Sequence, residues 1–576
     1  MNGNTYKILI DDRHYTSWKY YNMFEYKEQD IDVSPESHKL LNDDVITVDD
    51  EKNVSIIHST IRNTEHIPGV IVLEKNKTYG RAKNGKLLYK CIPDDRRLPV
   101  FLIPYDMKNI GFSKVYINKY ITFQYTEWTS KHPYGKVSQV IGTVDILDNY
   151  YEYQLYCKSL HASIQRFTKD TNKAIKSCST HDEFIDNICK QYDNIEDRTD
   201  KNHWKVFSID PIGSVDFDDA FSIKNMPDNT QLISIYISNV TIWLDVLNLW
   251  DSFSQRISTI YLPDKKRPML PSILSDCLCS LMENRNRIAL AMDIEIKDGT
   301  ILNMKYSNVK INVFKNYRYD ETALLMDADY HTLLETSCEL SKKYKYMNKI
   351  RDSHDLVAYL MILMNYHSGK TMLEHNNGIL RSSIINKQIE MPTSLPDEVS
   401  NFIKIWNSTT GQYLDATKLE KGDLYSHDLL NVDAYIHITS PIRRIVDLLN
   451  IIKIQENLQL VQLSENSAKF YNKWIDQLEY INTTMRYIRR VQNDCSLLHN
   501  FVTNPDLLDR TYKGYVFDKI ERSDGLFHYV IYFPELRMTS KITVRKEMNN
   551  YDCKEFHLFI FQDEDSLKRK IRVQII

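Results

Sequence analysis

Four carboxylates crowd into ten residues. Asp210 to Asp219 reads D-P-I-G-S-V-D-F-D-D, with acids at Asp210, Asp216, Asp218 and Asp219. Val206-Phe207-Ser208-Ile209 precedes the run and Ala220-Phe221-Ser222-Ile223 follows it. Both flanks are apolar enough for buried strands. Pro211 and Gly213 break the chain between them, as a turn needs. The flanks therefore pin the acids at the edge of a core, where like charges repel unless a cation or protons neutralise them. Oxygen-only donors suit a hard ion such as magnesium or manganese. A solvated acidic turn is the competing reading of any D-x-D, and the apolar flanks and fourth acid weigh against it. A calcium loop of the EF-hand type fails, because its required Gly and Glu positions, counted from Asp216, hold Phe221 and Pro227.

The rest of the chain must house this run. Its 576 residues predict about three to five domains. A net charge of −4 neither demands nor excludes nucleic acid, because acidic catalytic residues can mask a basic groove. The nine cysteines, Cys91, Cys157, Cys178, Cys189, Cys277, Cys279, Cys338, Cys495 and Cys553, are scattered and form no C-x-x-C pair. That pattern argues against zinc and for a reducing, intracellular and cytoplasmic setting. No signal-peptide start and no apolar run of about 18 residues is present, so no membrane partner is expected.

The expected domains follow composition. Residues 1–60 are acidic in places and read as an N-terminal extension with little core. Residues 61–165 carry short strand-like runs, Gly69-Val70-Ile71-Val72-Leu73, Val100-Phe101-Leu102-Ile103 and Val140-Ile141-Gly142-Thr143-Val144 among them. Such spacing predicts one or two small β-barrels of the OB or cold-shock kind. Basic and aromatic residues interleave there: Lys75, Lys77, Tyr79, Arg81, Lys86, Tyr89, Tyr120, Phe123 and Trp128. A barrel that stacks bases and tracks phosphates would look like this, and so would ordinary strands with solvated lysines. Residues 166–200 read as a helical connector. Residues 201–505 form the largest segment, strand-rich to about Val313 and helical afterwards. Residues 506–576 return to short strands, as in a C-terminal OB-fold barrel that binds RNA. The fold class expected is α+β multidomain, a central mixed sheet with helices flanked by β-barrels.

A second motif lies far downstream. Tyr435 to Asp447 reads Y-I-H-I-T-S-P-I-R-R-I-V-D. Thr439 or Ser440 can N-cap a helix and Pro441 fits its first turn. Ile442, Ile445, Val446 and Leu449 give that helix an apolar face. Arg443 and Arg444 then sit in the first turn, poor for stability but apt for an anion at a helix N-terminus. A capped helix with its arginines solvated or paired to Asp447 is the equal alternative. Clustered acids plus arginine is the equipment of phosphodiester hydrolysis, with two metal ions activating water and Arg443 offsetting charge on phosphorus.

Together these motifs resemble the RNB family: bacterial ribonuclease II, ribonuclease R and the catalytic exonuclease of the eukaryotic exosome. The acidic spacing and T-S-P-I-R-R, Thr439 to Arg444, match its pattern. So does a third block, Arg256 to Pro263 (R-I-S-T-I-Y-L-P) with Pro268-Met269-Leu270-Pro271, Leu274-Ser275-Asp276 and Cys279-Ser280-Leu281. The resemblance covers about residues 198–500 and implies a central RNB catalytic domain. It implies a magnesium-dependent (or manganese-dependent), processive 3′-to-5′ exoribonuclease acting on single-stranded RNA and releasing 5′-mononucleotides. Asp210 and Asp219 would be the main metal ligands, with Asp216 and Asp218 completing the set and Asp218 the most critical acid. Arg443 would hold the scissile phosphate, with Ser440 and Arg444 beside it. Tyr261 and Tyr319 would contact the terminal nucleotides.

The sequence departs from the family pattern in places. Ile235-Tyr236-Ile237-Ser238-Asn239-Val240 stands for V-H-I-A-D-V, and Ala358, Gln492 and Asn450 replace an expected Glu, Glu and His. These changes motivate a second reading, a catalytically weakened RNB-like RNA-binding or scaffold protein. A metal-dependent endonuclease or DNA nuclease is a third.

Overall fold

The computed structural model describes residues 4–49, 52–106, 116–176, 181–192, 194–347, 349–385, 390–408, 411–420, 424–563 and 567–576. Cys178 lies outside them. The chain divides into two compact units. One comprises Met1–His161, Leu262–Asp264 and Arg490–Ile576; the other comprises Ala162–Tyr261 and Lys265–Arg489.

The second unit is built on a six-stranded sheet. Its strands run in the spatial order Ile195–Arg198, Thr300–Arg318, Val206–Asp210, Asp219–Asn225, Gln231–Ser238 and Asn286–Lys297. The apolar runs flanking the acidic loop are thus central, adjacent and antiparallel strands. The long strand Thr300–Arg318 pairs with Val206–Asp210 in parallel and with Asn286–Lys297 antiparallel. Strand residues Phe207, Ile209, Phe221, Ile235 and Leu290 are buried against Leu333, Leu356, Leu360, Leu363 and Ile451 of the covering helices. Those helices include Ala328–Lys343, Ser353–Glu374 and Ile445–Asn457. Asp327 and Asp352 cap the first two through backbone N–H groups of the first turn. The helical connector is present as Gln165–Ile175 and His181–Gln191, but its polar end, Ile195–Arg198, is a strand paired with the long one. Buried Arg198 holds it there, forked onto Asp293 at 2.8 and 2.7 Å.

In the first unit the strands Ile67–Ile71, Leu88–Pro93, Phe101–Pro104, Lys119–Glu127 and Tyr134–Thr143 close into one barrel. Residues 4–58, expected to hold little core, instead form a five-stranded sheet. Ile8 and Ile46 of that sheet, with Leu40 and Leu41 on the turn before its fourth strand, are fully buried in one cluster with Ile67, Phe101 and Ile121 of the barrel. Acidic side chains hid this from composition: Asp44 is buried, paired with Arg62 at 2.6 Å and serving the Leu41 N–H. The strands Thr511–Glu521, Phe527–Phe533, Met538–Val544, Cys553–Gln562 and Arg569–Ile575 form a five-stranded antiparallel sheet. Gly514 is needed there: a Cβ on it would come within 2.6 Å of the Ile531 side chain.

The base-stacking expectation is corrected for four barrel aromatics. Tyr89, Tyr120, Phe123 and Trp128 are buried in the core, whereas Lys75, Lys77, Tyr79, Arg81 and Lys86 are exposed. The exposed residues lie on the connection between the strands Ile67–Ile71 and Leu88–Pro93, whereas Tyr89, Tyr120 and Phe123 lie on barrel strands with their rings in the core. Phe123→Ala is expected to destabilise the protein by about 3–5 kcal/mol. Tyr79→Ala should change stability by no more than about 0.5 kcal/mol. Urea denaturation distinguishes them; equal effects would contradict this assignment.

Candidate functional site

The acids occupy the ends of neighbouring strands. Asp210 is the last residue of Val206–Asp210, and Asp219 is the first of Asp219–Asn225. Asp218 precedes it, its carbonyl accepting the Ser238 N–H at 2.8 Å. Asp216 lies on the intervening loop. The apolar strands on either side therefore fix three carboxylates at the rim of the sheet.

Their environments differ. Asp210 accepts the Ser208 hydroxyl at 2.7 Å. Burial pushes its pKa up to about 6, reinforced by Asp216 and opposed by Ser208 and Arg443. Asp218 is 3% exposed. Its Oδ1 accepts the Ile442 backbone N–H at 2.8 Å, and its Oδ2 faces the Arg443 Nε at 3.2 Å. That second oxygen is in an ion pair yet has no hydrogen bond. Burial raises Asp218 to about 7 despite Arg443 and the Ile442 N–H. Burial, then Asp210 and Asp218, raise Asp219 well above the carboxylate range. Asp216 is engaged differently: Tyr261 Oη donates to its Oδ2 at 3.0 Å and Lys266 Nζ to its Oδ1 at 3.1 Å.

The downstream motif meets these acids, but not as a helix N-terminus. The helix begins at Ile445, and Arg444 before it is extended. Thr439 to Arg444 is an irregular turn, in which the Arg444 N–H reaches the Ser440 carbonyl at 3.0 Å. The segment Ile257–Thr259 clamps it: Thr259 N–H and Ser258 Oγ both donate to the Arg443 carbonyl, at 3.0 and 2.8 Å, and Ile445 N–H donates to Ile257 at 2.9 Å. Local sequence predicts a helix because this competing partner lies 185 residues away. The helix-dipole account of the arginines is therefore replaced by one of a clamped turn.

The clamp sorts the two arginines. The Arg443 side chain is 46% exposed and faces Asp218. Its Nη2 donates to Ser440 Oγ at 3.0 Å. Arg444 is committed inward, to fully buried Asp447 at 2.8 Å. The same Asp447 oxygen accepts the Ser440 N–H at 2.8 Å. Ser440 is 2% exposed. Ser440 and Arg444, expected as substrate contacts, thus hold the turn that presents Arg443. Tyr261 is 40% exposed. Tyr319 is half-buried, its N–H on the Asp210 carbonyl at 3.2 Å and its ring stacked on His354 at 3.7 Å.

The departures from the expected pattern are mostly structural fillers. Asn239 is fully buried and bonded to Asn308, Gln455 and Thr241. Buried Asn450 bridges the Ile379 backbone and the His437 carbonyl. Ala358 is exposed on its helix and Gln492 half-buried. Sequence reasoning passed over Lys266 and His354. The signal for Lys266 was a basic run, Lys265-Lys266-Arg267, inside an otherwise apolar block; nothing local marked His354.

A hard cation suits the donors at the sheet rim: all are oxygens, three have pKa values pushed up by burial first and then by nearby carboxylates, and Asp218 Oδ2 has no hydrogen bond. Among the described residues, however, no three carboxylate, imidazole or thiol groups already converge on one point at ligand distance. Asp210, Asp218 and Asp219, on adjacent strand ends, fit such an ion in their chemistry.

Residues 198–416 match the family model described as the RNB domain. DIS3-like exonuclease 2 of Schizosaccharomyces pombe is 22% identical over 478 residues, covering 65% of this chain and 49% of the relative. The chain spans about half or less of the curated relatives it matches first. Ribonuclease R of Mycoplasma genitalium, solved with ribose-methylated single-stranded RNA, superposes with a TM-score of 0.69 at 15% identity, covering 99% of this chain and 100% of that one. Yeast Ssd1, described as a pseudonuclease, superposes at 0.62 with 14% identity, covering 94% and 78%. At these identities the likeness is one of fold, and a nuclease and a pseudonuclease share it.

Asp447→Ala should destabilise the protein by about 3 kcal/mol, because it strands Arg444 and the Ser440 N–H. Urea denaturation followed by tryptophan fluorescence measures this. A loss below about 1 kcal/mol would contradict the clamp.

Proposed function

We propose that the chain, whose residues 198–416 match the RNB domain model, is a metal-dependent exoribonuclease of that type. It degrades single-stranded RNA from the 3′ end, processively, and releases 5′-mononucleotides. One observation carries the reading: the exposed Arg443 guanidinium is held against buried Asp218, one oxygen of which has no hydrogen bond, beside the strand-end acids Asp210 and Asp219. A protein that only bound RNA would gain nothing from clustered anions that repel it.

Asp210, Asp218 and Asp219 would hold magnesium or manganese. When bound, the ion supplies a positive charge that offsets the acids and polarises the phosphoryl group. The chain's own residues do the rest. The clamped turn presents Arg443 so that its guanidinium can leave Asp218 for the scissile phosphate, a charge-assisted contact that strengthens as negative charge builds on phosphorus. Water adds to phosphorus, the bond to the upstream 3′ oxygen breaks, and that oxygen takes up a proton to become the new 3′-hydroxyl. Tyr261 and Tyr319 stack on or border the terminal nucleotides, which tolerates any base.

A second reading has its own support. Arg443 is occupied by Asp218, as would suit a weakened relative that binds RNA without turning it over. A time course on 5′-labelled single-stranded RNA with magnesium decides between them. The wild type should shorten the label from the 3′ end to a short terminal fragment, and Asp218→Asn should be slower by about a hundredfold or more. EDTA should abolish the reaction. RNA bound but left whole with magnesium and with manganese would establish the second reading, and cleavage of circular RNA would refute the 3′-end assignment.

A further inference from the structure

Asp216 stands apart from the other three acids of the run. Two strand residues bracket it. Ile260–Tyr261 and Lys266–Arg267 form a two-stranded ribbon in which Tyr261 and Lys266 are direct cross-strand partners. Side chains at such positions lie side by side. Both reach Asp216: the phenol takes one carboxylate oxygen at 3.0 Å and the ammonium takes the other at 3.1 Å. Lys266 is anchored from behind by Asp276 at 2.8 Å, whose same oxygen accepts the Ser275 hydroxyl at 2.7 Å. The Lys266 and Asp216 side chains are only 23% and 11% exposed, so water screens the pair weakly.

Both oxygens of Asp216 are therefore committed. An ammonium already neutralises this carboxylate, so a divalent ion gains less from it than from the other acids. Among the described residues the remaining three acids have no cationic partner apart from Arg443. We propose that Lys266 removes Asp216 from the metal site and turns it into the positioning group for Tyr261. Lys266 holds Asp216, Asp216 holds the phenol, and the exposed Tyr261 ring is thereby fixed for the 3′-terminal nucleotide. This inference rests on the exoribonuclease reading for what Tyr261 contacts. It reassigns one acid of the run from cation to substrate.

Two measurements on the full chain test it. In the first, Mn2+ binding without RNA is followed by electron paramagnetic resonance. Asp216→Asn should leave the Kd within about threefold of wild type, whereas Asp210→Asn and Asp219→Asn should weaken it about tenfold or more. In the second, binding of a labelled single-stranded RNA is measured by anisotropy in EDTA. Lys266→Met and Tyr261→Ala should each weaken it by about fivefold or more. Lys266→Arg, which keeps the charge, should retain most of the affinity and guards against a misfolded methionine variant. Loss of Mn2+ binding in Asp216→Asn equal to that in Asp210→Asn would overturn the proposal alone. So would RNA affinity lost in Tyr261→Ala but kept in Lys266→Met. A wild type that binds no Mn2+, or RNA affinity unmoved in both variants, would contradict the functional reading and the inference with it.

Discussion

A carboxylate sealed from water must be neutralised, and Asp218 meets that requirement through Arg443 and one backbone N–H. Much of the site depends on this pair. The Ile442 N–H reaches Asp218 only because Pro441 to Arg444 is held as a turn, and the turn exists only because Ile257–Thr259 takes the Arg443 carbonyl. Asp447 secures it from behind through the Ser440 N–H and Arg444. Hydrophobic strands supply the other half: they deliver Asp210 and Asp219 to the same rim with no conformational freedom left to separate them. The cost of burying these charges, and then of crowding them, is visible in their raised pKa values. Such unrelieved charge is a property of sites that await a cation or a substrate more than of structural ion pairs.

The acid run was legible because its message is local. Apolar residues on both sides of a Pro-Gly break predict two strands and a loop, and tertiary structure had only to make those strands neighbours. The barrel between 67 and 143 and the C-terminal strands were legible for the same reason. The T-S-P-I-R-R turn was not. Its residues are acceptable in a helix, and the partner that wins them, Ser258, is remote in sequence. The sheet at residues 4–58 was hidden by buried acids such as Asp44, whose cost is met by Arg62 and backbone donors that composition does not reveal.

The roles within the site follow the same division. Four equivalent-looking aspartates in sequence become two kinds in space, because Lys266 and Tyr261 reach one of them across a ribbon about fifty residues further along. Two adjacent arginines become one that faces outward and one that faces in. Residue type marked the candidates; only packing separates the outward arginine from the inward one and Asp216 from the other acids. The four substitutions against the family pattern illustrate the converse. Asn239 and Asn450 are absorbed into buried amide networks that satisfy their polar atoms, so they bear on the fold rather than on the acids.

The central claim is that Arg443 exchanges Asp218 for the scissile phosphate. A crystal structure of the chain with calcium and single-stranded RNA addresses it directly. The account predicts the Arg443 guanidinium on the phosphate nearest the 3′ end, the calcium among Asp210, Asp218 and Asp219, and Asp216 still between Lys266 and Tyr261. RNA bound with Arg443 unmoved on Asp218 and no phosphate within reach of either would contradict it.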